Sequence, residues 1–364
     1  MTRIFNMSKK FFAIAIALAL LVFTGASCIS KGTTQPMGVF RSVDKGDKWE
    51  AVAAFPTPQG VKSIAGIKVY RIFEDPSDAN AFYLGTRGQG LFYTYNSGDS
   101  WQEVSAMKGK FIYALAVNPR DKCDIYASDG PHIYRSEDCS RTWNLVFTEE
   151  RTTQRFVSVI FDYADADVIY AAQLGGDILR SADKGRSWQV IKRFNFQLQD
   201  LMADKQNPKR LYVAAYRQGL WRSDDGGQSW VDLNQDLGRF NDSKAFYRLV
   251  LNPAQKNSLF WACKYGILRS DDAGETWTDL KLLTPPGAVN IFGLAVNPKN
   301  QKEIYYTGTI LGDNNVHVKS TFYKTSDGGQ SWVTKKLPTE TIPVMIKVHP
   351  EKDNVLLMGF TLLD

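Results

Sequence analysis

The stretch Ser223-Asp-Asp-Gly-Gly-Gln-Ser-Trp230 decides the fold, because this chain of 364 residues carries seven copies of its pattern. Each copy follows Ser/Thr-x-Asp-x-Gly-x-Ser/Thr-Trp or a close variant, and successive copies place their tryptophans 42 to 55 residues apart. The copies occupy residues 42–49, 94–101, 136–143, 181–188, 223–230, 270–277 and 325–332. A repeat of this period is typical of proteins built from stacked supersecondary units.

Each copy has the residue types of a tight turn that is braced by its own side chains. The carboxylate can accept backbone N–H groups, and the glycine tolerates the positive φ that such turns need. The closing tryptophan buries roughly 150–250 Å² when it packs on a neighbouring sheet. Lys48, Asn96 and Ser140 depart from the pattern and weaken single copies. We interpret the third-position residues as structural and not catalytic: Asp44, Asn96, Asp138, Asp183, Asp225, Asp272 and Asp327.

The segments around these boxes predict four short strands in each repeat. A strand ending in Arg-Ser precedes most boxes, as in 132–136 and 219–223, and an earlier apolar run closes at an Asn-Pro turn, as in 115–119 and 249–253. Another strand lies between these two, and a fourth begins at the box tryptophan. Four-stranded units of about 45 residues are the blades of a β-propeller, so the sequence predicts an all-β fold.

The two ends of the repeat region predict how the ring closes. The first box follows a third strand at 38–42, whereas the last repeat supplies first and second strands at 343–348 and 355–360. These two halves complete one blade, which leaves no free sheet edge between them. With six full blades, they predict a seven-bladed β-propeller over residues 38–364.

The boxes resemble the Asp-box, or bacterial neuraminidase, repeats of sialidases, family 74 glycoside hydrolases and sortilin-like propellers. The Asn-Pro turn followed by Ile-Tyr-Ala is similar to the single-propeller photosystem II assembly-factor family and its non-photosynthetic relatives. The resemblance covers nearly all of residues 38–364. It implies the propeller fold but specifies activity poorly, because one fold carries many functions.

The N-terminus predicts export. Three basic residues precede an apolar stretch at 11–23, and small residues lead to Cys28. We predict a lipoprotein-type signal peptide over 1–27, lipidation of Cys28, and a polar tether over 28–37. Gly25 departs from the usual leucine of that cleavage box, so ordinary secretory cleavage stays an alternative. Removal of 1–27 takes three positive charges from the net +6 and leaves +3, and no basic-aromatic motif indicates nucleic-acid binding.

The remaining cysteines suggest one disulfide. Cys123 lies in the turn between the first two strands of its blade, and Cys139 lies in the box of the same blade. These turns share one edge of the sheet, so an exported protein can oxidise the pair and brace a box without its glycine. Cys263 is expected to be a buried strand residue. No pair of residues has metal-ligand spacing, and we expect no cofactor.

Function is expected at the edge opposite the boxes, where the loops between second and third strands meet the loops between blades. Three of these loops align and place Arg87, Arg217 and Lys264 at equivalent positions, with tyrosines beside two of them. Such a rim suits a carboxylate, a phosphate or an anionic glycan. Solvated loop charges are the alternative interpretation. The candidate ligand-binding set is Arg87, Arg155, Arg217, Tyr216, Arg248, Lys264 and Tyr265, with Arg151 and Arg193 nearby.

The alternative function is a sialidase-like or family-74-like glycoside hydrolase, which needs two carboxyl groups across the sugar. Loop-face candidates are Glu149, Glu150, Asp177, Asp200, Asp242 and Asp313, and no two of them form a motif. The nearest match to the Arg-Ile-Pro element of sialidases is at Arg71, which lacks the proline and is expected near the box end of its strand. Family 74 enzymes pair two propellers, whereas this chain supplies one. His317 and Asp313 share an irregular loop at 311–321, and the context supports no hydrolase triad.

We therefore expect an exported, lipid-anchored, monomeric propeller that binds a partner through its loop face. The expected partners are an envelope protein or an anionic ligand or glycan, with the membrane reached through the lipid anchor and no nucleic acid. A role in assembly or maturation fits this interpretation.

Overall fold

A computed structural model describes residues 36–362 and shows seven four-stranded antiparallel sheets. This confirms the predicted all-β, seven-bladed β-propeller. In each sheet the strands follow one another as neighbours, here named A to D. The A strands of neighbouring blades contact one another around the centre of the ring, except that the contact between blades 4 and 5 is made by the B strand of blade 4 and the A strand of blade 5. Blades 1–6 follow the chain order, and blade 7 joins its two ends.

The strands are short and regular. Blades 1, 2 and 3 consist of Val69–Glu74, Phe82–Thr86, Leu91–Thr94 and Gln102–Glu103; Ala114–Asn118, Asp121–Ser128, His132–Ser136 and Asn144–Thr148; Phe156–Phe161, Ile169–Gln173, Asp177–Ser181 and Gln189–Arg193. Blades 4, 5 and 6 consist of Leu198–Ala203, Leu211–Ala215, Gly219–Ser223 and Val231–Asp232; Phe246–Leu251, Leu259–Cys263, Ile267–Ser270 and Thr278–Asp279; Asn290–Asn297, Asn300–Leu311, His317–Thr325 and Val333–Lys335.

Blade 7 closes the ring as predicted. Its A and B strands are Ile342–Val348 and Leu356–Thr361, and its C and D strands are Gly38–Ser42 and Glu50–Ala51. The B and C strands pair antiparallel over five positions, so strands from the two ends of the ring form one sheet. Pro36 and Met37, which we assigned to the tether, already bond to the propeller: the backbone N–H of Met37 donates to Ala65, and the Thr339 hydroxyl donates to the Pro36 carbonyl.

The box at 223–230 shows how the repeat works physically. The Ser223 hydroxyl donates to the Asp225 carboxylate at 2.8 Å and accepts the N–H of Gly227 at 2.8 Å. The same carboxylate accepts the N–H of Ser229 at 2.9 Å. Gly227 has φ +88°, and a Cβ atom there would lie 2.7 Å from the Ile191 side chain. The equivalent bonds in blade 3 hold the pKa of Asp183 at about 2, chiefly through the Ser187 hydroxyl.

Three segments differ from the sequence expectation. The stretch 311–321 is not an irregular loop, because the B and C strands of blade 6 extend towards its tip and Leu311 pairs with His317. An additional hairpin, Ala54–Thr57 with Gly60–Ser63, lies between blades 7 and 1. One four-residue helix, Asn234–Leu237, follows the D strand of blade 4. Each of these adds to the connections of the loop face, where the repeat pattern places no constraint.

Cys123 and Cys139 are joined by a disulfide that links the A–B turn of blade 2 to its box. Both Cys139 and Ser140 have positive φ, which a glycine would adopt more easily. Cys263 is a buried free thiol, and burial raises its pKa to about 11. The oxidation of the first pair in the exported protein stays a prediction.

The segment that predicted export lies outside the described residues. This applies to the signal peptide over 1–27, to Cys28 and to tether residues 28–35. Between residues 36 and 362, no helix has the length and apolar character needed to span a membrane.

Candidate functional site

The loop face brings two predicted arginines, Arg87 and Arg155, to one aromatic cluster. Arg87 follows the B strand of blade 1, and its Cζ lies 5.5 Å from the ring centre of Tyr70. Arg155 precedes the A strand of blade 3, and its Cζ lies 5.2 Å from the ring centre of Tyr113. Phe111 stacks on Tyr113 with ring centres 4.1 Å apart and meets Tyr70 edge-on at 4.8 Å. We call these five residues the mouth cluster.

The two arginines of the mouth cluster have no acidic partner. Within residues 36–362, no carboxylate lies close enough to either guanidinium to form an ion pair, and Nε of Arg87 is buried without a hydrogen bond. Arg155 is exposed and Arg87 is half-buried. Each guanidinium lies within the distance of a cation–π contact, which orients the group but leaves most of its donors unused. The cluster therefore offers unpaired donors beside half-buried aromatic rings.

The other predicted rim residues do not join this cluster. Arg217 lies over the exposed ring of Tyr216, with Cζ 5.4 Å from the ring centre. Lys264 forms an ion pair with Asp242 at 3.3 Å, and both side chains are more than half exposed. The Tyr265 hydroxyl donates to Asp279 at 3.3 Å. The structure thus separates the predicted set: Arg87 and Arg155 share one aromatic cluster on blades 1 to 3, whereas Lys264 and Tyr265 have acidic partners. Arg217 contacts the ring of its neighbour Tyr216, apart from that cluster.

Arg248 is not a rim residue, because its side chain reaches into the centre of the ring. Its Nε donates to the carbonyl of Phe292 at 3.3 Å and its Nη2 to that of Val344 at 3.2 Å. Those carbonyls belong to the A strands of blades 6 and 7. Burial and the nearby charge of Arg71 lower the pKa of Arg248 to about 10.

Arg71 also points into the centre and crosses it. It pairs with Asp200 from the A strand of blade 4 through two contacts of 3.2 Å, one from each terminal nitrogen. The Ser158 hydroxyl donates to the same carboxylate at 2.6 Å. Although burial opposes it, the charge of Asp200 raises the pKa of Arg71. Arg71 occupies the middle of its strand, so its expected place near the box end was wrong. We call Arg71, Ser158, Asp200 and Arg248 the channel cluster.

A shared irregularity of the A strands builds the channel cluster. In six A strands the register shifts near the loop-face end, and the residue after the shift is Arg71, Ser158, Asp200, Arg248, Gly293 or Met345. A bulge re-aims the side chain that follows it and increases local twist. The four polar members of this series form the channel cluster. Sequence reasoning missed it, although these residues stand five positions before the turn proline in four of the six strands.

Two candidate carboxylates, Glu149 and Asp177, do come together on the loop face of blade 3. Nη2 of Arg151 donates to Glu149 at 2.9 Å and to Asp177 at 3.0 Å, so the two carboxylate oxygens lie within about 6 Å of each other. Both carboxylates are nearly buried. The Arg151 hydrogen bonds lower the pKa of Glu149 to about 2. Glu149 and Asp177 are therefore close enough to act as a pair of carboxylates. Glu149 stays ionised at neutral pH.

The remaining acidic candidates form no second pair. Asp242 binds Lys264, Asp200 binds Arg71, and Glu150 and Asp313 are exposed without a carboxylate partner among the described residues. His317 Nε2 contacts the Ser320 hydroxyl at 2.9 Å, and burial lowers the pKa of His317. In the described part of the chain, no three His, Cys, Asp or Glu side chains are grouped so that they could hold a metal ion.

Comparison with curated sequences finds similarity to xyloglucanases. The sequence is 24% identical over 279 residues to xyloglucanase Xgh74A of Acetivibrio thermocellus, covering 64% of this chain and 33% of the relative. It is 23% identical over 249 residues to an oligoxyloglucan-reducing end-specific xyloglucanase of Emericella nidulans, covering 54% and 31%. The chain therefore spans about a third of the length of the curated relatives it matches. No protein-family model matches it.

Solved structures of a GH74 enzyme and of YCF48 contain a propeller similar to this one. The GH74 enzyme of Niastella koreensis matches with a TM-score of 0.63 and 17% identity, over 88% of this chain and 53% of the enzyme. YCF48 bound to D1 peptide matches with a TM-score of 0.60 and 14% identity, over 82% of this chain and 93% of YCF48. At these identities the structures establish the fold alone. The sequence relatives support the glycoside hydrolase alternative more directly than they support a scaffold role.

Proposed function

We propose that this propeller binds an acidic segment of a partner protein through the mouth cluster. The observation that carries the proposal is the pair of arginines, Arg87 and Arg155, held on one aromatic cluster without any acidic partner among residues 36–362. Guanidinium groups on aromatic faces bind carboxylates with two parallel hydrogen bonds. The half-buried rings of Tyr70, Phe111 and Tyr113 supply apolar area next to those charges.

The proposal agrees with the fold of YCF48, which is matched over 93% of its own length and 82% of this chain. YCF48 is a propeller of comparable length, and its structure contains a bound peptide. A propeller that presents loops on a rigid frame can bind a partner without a second domain. Export, lipidation at Cys28 and a role in assembling or maturing an envelope protein extend this proposal and rest on the sequence of residues 1–28.

Replacing both mouth arginines should weaken binding of an acidic peptide at least tenfold. Arg87→Gln/Arg155→Gln removes two charges and leaves Tyr70 and Tyr113 in place. The probe is a fluorescent oligoglutamate, titrated at low ionic strength and read by anisotropy, because exposed charge contacts are screened by salt. Arg186→Gln is the matched control, since Arg186 is exposed in the box of blade 3 on the opposite face.

Two results would contradict this proposal. One is equal oligoglutamate affinity in the double variant and the wild type. The other is a wild type that binds oligogalacturonate, an anionic glycan, tightly while it ignores oligoglutamate, which would assign the face to carbohydrate.

Glycoside hydrolysis is the second candidate function, favoured by the xyloglucanase relatives and by the separation of Glu149 and Asp177. Carboxyl groups about 5–5.5 Å apart suit a retaining mechanism, and greater separations suit an inverting one. The general acid must carry a proton, however, and Arg151 holds the pKa of Glu149 at about 2. Glu149 therefore cannot serve as the general acid at neutral pH, and could act in such a pair only as the base or nucleophile.

Hydrolysis by this pair would have a distinct pH signature. With Glu149 as the general acid, we expect reducing ends to be released from xyloglucan only as the pH falls well below neutral, because Glu149 gains its proton near pH 2. Glu149→Gln/Asp177→Asn should abolish the release, and Glu150→Gln, which changes an exposed neighbour, should not. If the wild type releases no reducing ends at any pH at which it stays folded, the hydrolase candidate is removed.

A further inference from the structure

The channel cluster contains more positive than negative charge. Arg71 and Arg248 carry two positive charges, and Asp200 supplies the only negative charge that pairs with either of them among the described residues. Asp200 is taken by Arg71, which contacts both of its oxygens. One guanidinium in the centre of the ring therefore lacks a counter-charge.

Arg248 also has unused hydrogen-bond donors. A guanidinium has five N–H groups, and Arg248 gives one from Nε and one from Nη2 to backbone carbonyls. Its Nη1 makes no hydrogen bond to any residue between 36 and 362. The two carbonyls fix the orientation of the group from the side of blades 6 and 7, and the remaining donors are free for another acceptor.

We propose that Arg248 binds a small oxyanion, a carboxylate or a phosphate, inside the central channel. Such an anion would supply the missing counter-charge and accept the free donors of Arg248. Arg248 is half-buried, and a charge that is partly removed from water is stabilised by a bound counter-ion. Apart from two neutral carbonyls, Arg248 is favoured in its charged form by Asp200, which already pairs with Arg71.

The channel cluster is continuous with the mouth cluster. Cζ of Arg71 lies 5.7 Å from the ring centre of Tyr70, whose ring also contacts Arg87. The proposed anion has two candidate sources: one free in solution, or one carried by a ligand bound at the mouth. The channel site goes beyond the proposed partner binding, because its recognition group is a different residue on a different blade.

The experiment measures thermal unfolding in buffers free of phosphate, carboxylate and chloride, with inorganic phosphate or acetate added in steps. We expect the Tm of the wild type to rise with the logarithm of anion concentration, as for any ligand that binds only the folded state. Arg248→Met should lose this rise, and Arg248→Lys, which keeps the charge but not the planar fork, should need at least tenfold more anion. Arg186→Met on the box face should respond as the wild type does.

Calorimetric titration of the wild type with phosphate adds a measurement that needs no variant, with one site per chain expected. The proposal is overturned if neither anion changes the wild-type Tm, or if both Arg248 variants respond normally. It is also overturned if Arg87→Gln/Arg155→Gln loses the phosphate response, because the anion would then sit at the mouth. Repeating the phosphate titration with saturating oligoglutamate distinguishes the two sources of the anion. If oligoglutamate abolishes the phosphate-dependent rise in Tm, a ligand bound at the mouth supplies the carboxylate at Arg248. If the rise persists, the anion binds from solution.

Discussion

Asp200→Ala should destabilise the propeller by about 3–5 kcal/mol, the usual cost of removing one partner of a buried ion pair. Its carboxylate accepts two contacts from Arg71 and one from Ser158, and the side chains of Arg71 and Asp200 are only 16% and 10% exposed. Without it, the nearby charges of Arg71 and Arg248 are left with no acidic partner among the described residues. Urea unfolding followed by tryptophan fluorescence measures the change in the free energy of unfolding.

The cause of this loss can be separated from simple loss of packing. Arg71→Met/Asp200→Leu removes the whole pair, and we expect it to cost far less than Asp200→Ala because no charge is left unpaired. Adding Arg248→Met to Asp200→Ala should restore part of the stability, since it removes the repelling neighbour. If all three variants lost the same free energy of unfolding, the channel cluster would not be an electrostatic unit.

The sequence predicted the parts of the structure that recur in every repeat. The turn chemistry of the boxes, the four strands of each blade and the sharing of blade 7 between 38–42 and 355–360 all follow from local residue types. The pattern also placed Arg87 and Arg155 on the loop face. Seven copies of the same pattern make such a prediction robust. The regular copies identify the repeat even where one copy is irregular, as at Ser140.

The functional geometry was harder to predict, because it depends on contacts between distant blades. Arg71 and Asp200 are 129 residues apart, and only the closed ring brings them together. We predicted Arg248 on the rim because the local sequence contains no turn residue that indicates the bulge between Phe246 and Arg248. That bulge turns the Arg248 side chain inward. The ion pair between Lys264 and Asp242 likewise depends on how two loops meet. The sequence therefore gives no sign that Lys264 has an acidic partner.

Trp101→Ala should have the largest effect among the seven box tryptophans, at about 3–5 kcal/mol. The sequence gives the seven rings equal weight, but the structure does not. Trp101 is fully buried and packs in the cluster at the junction of blades 7 and 1, where the two ends of the ring meet. Its Nε1 donates to the carbonyl of Val52 at 2.8 Å, next to the short D strand that blade 7 takes from the N-terminal side.

Two comparisons test this ranking by urea unfolding. Trp143→Ala should cost clearly less, because Trp143 is only half-buried in the blade 2 box and its Nε1 has no hydrogen-bond partner among the described residues. Trp101→Phe keeps most of the apolar area and loses the bond to Val52, so it should cost about 1–3 kcal/mol, the penalty for an unpaired buried carbonyl. Equal losses for Trp101→Ala and Trp143→Ala would mean that the closing seam is no more sensitive than any other blade junction. A larger loss at Trp101 would show that the junction of blades 7 and 1 depends more on its box tryptophan than the blade 2 box does on Trp143.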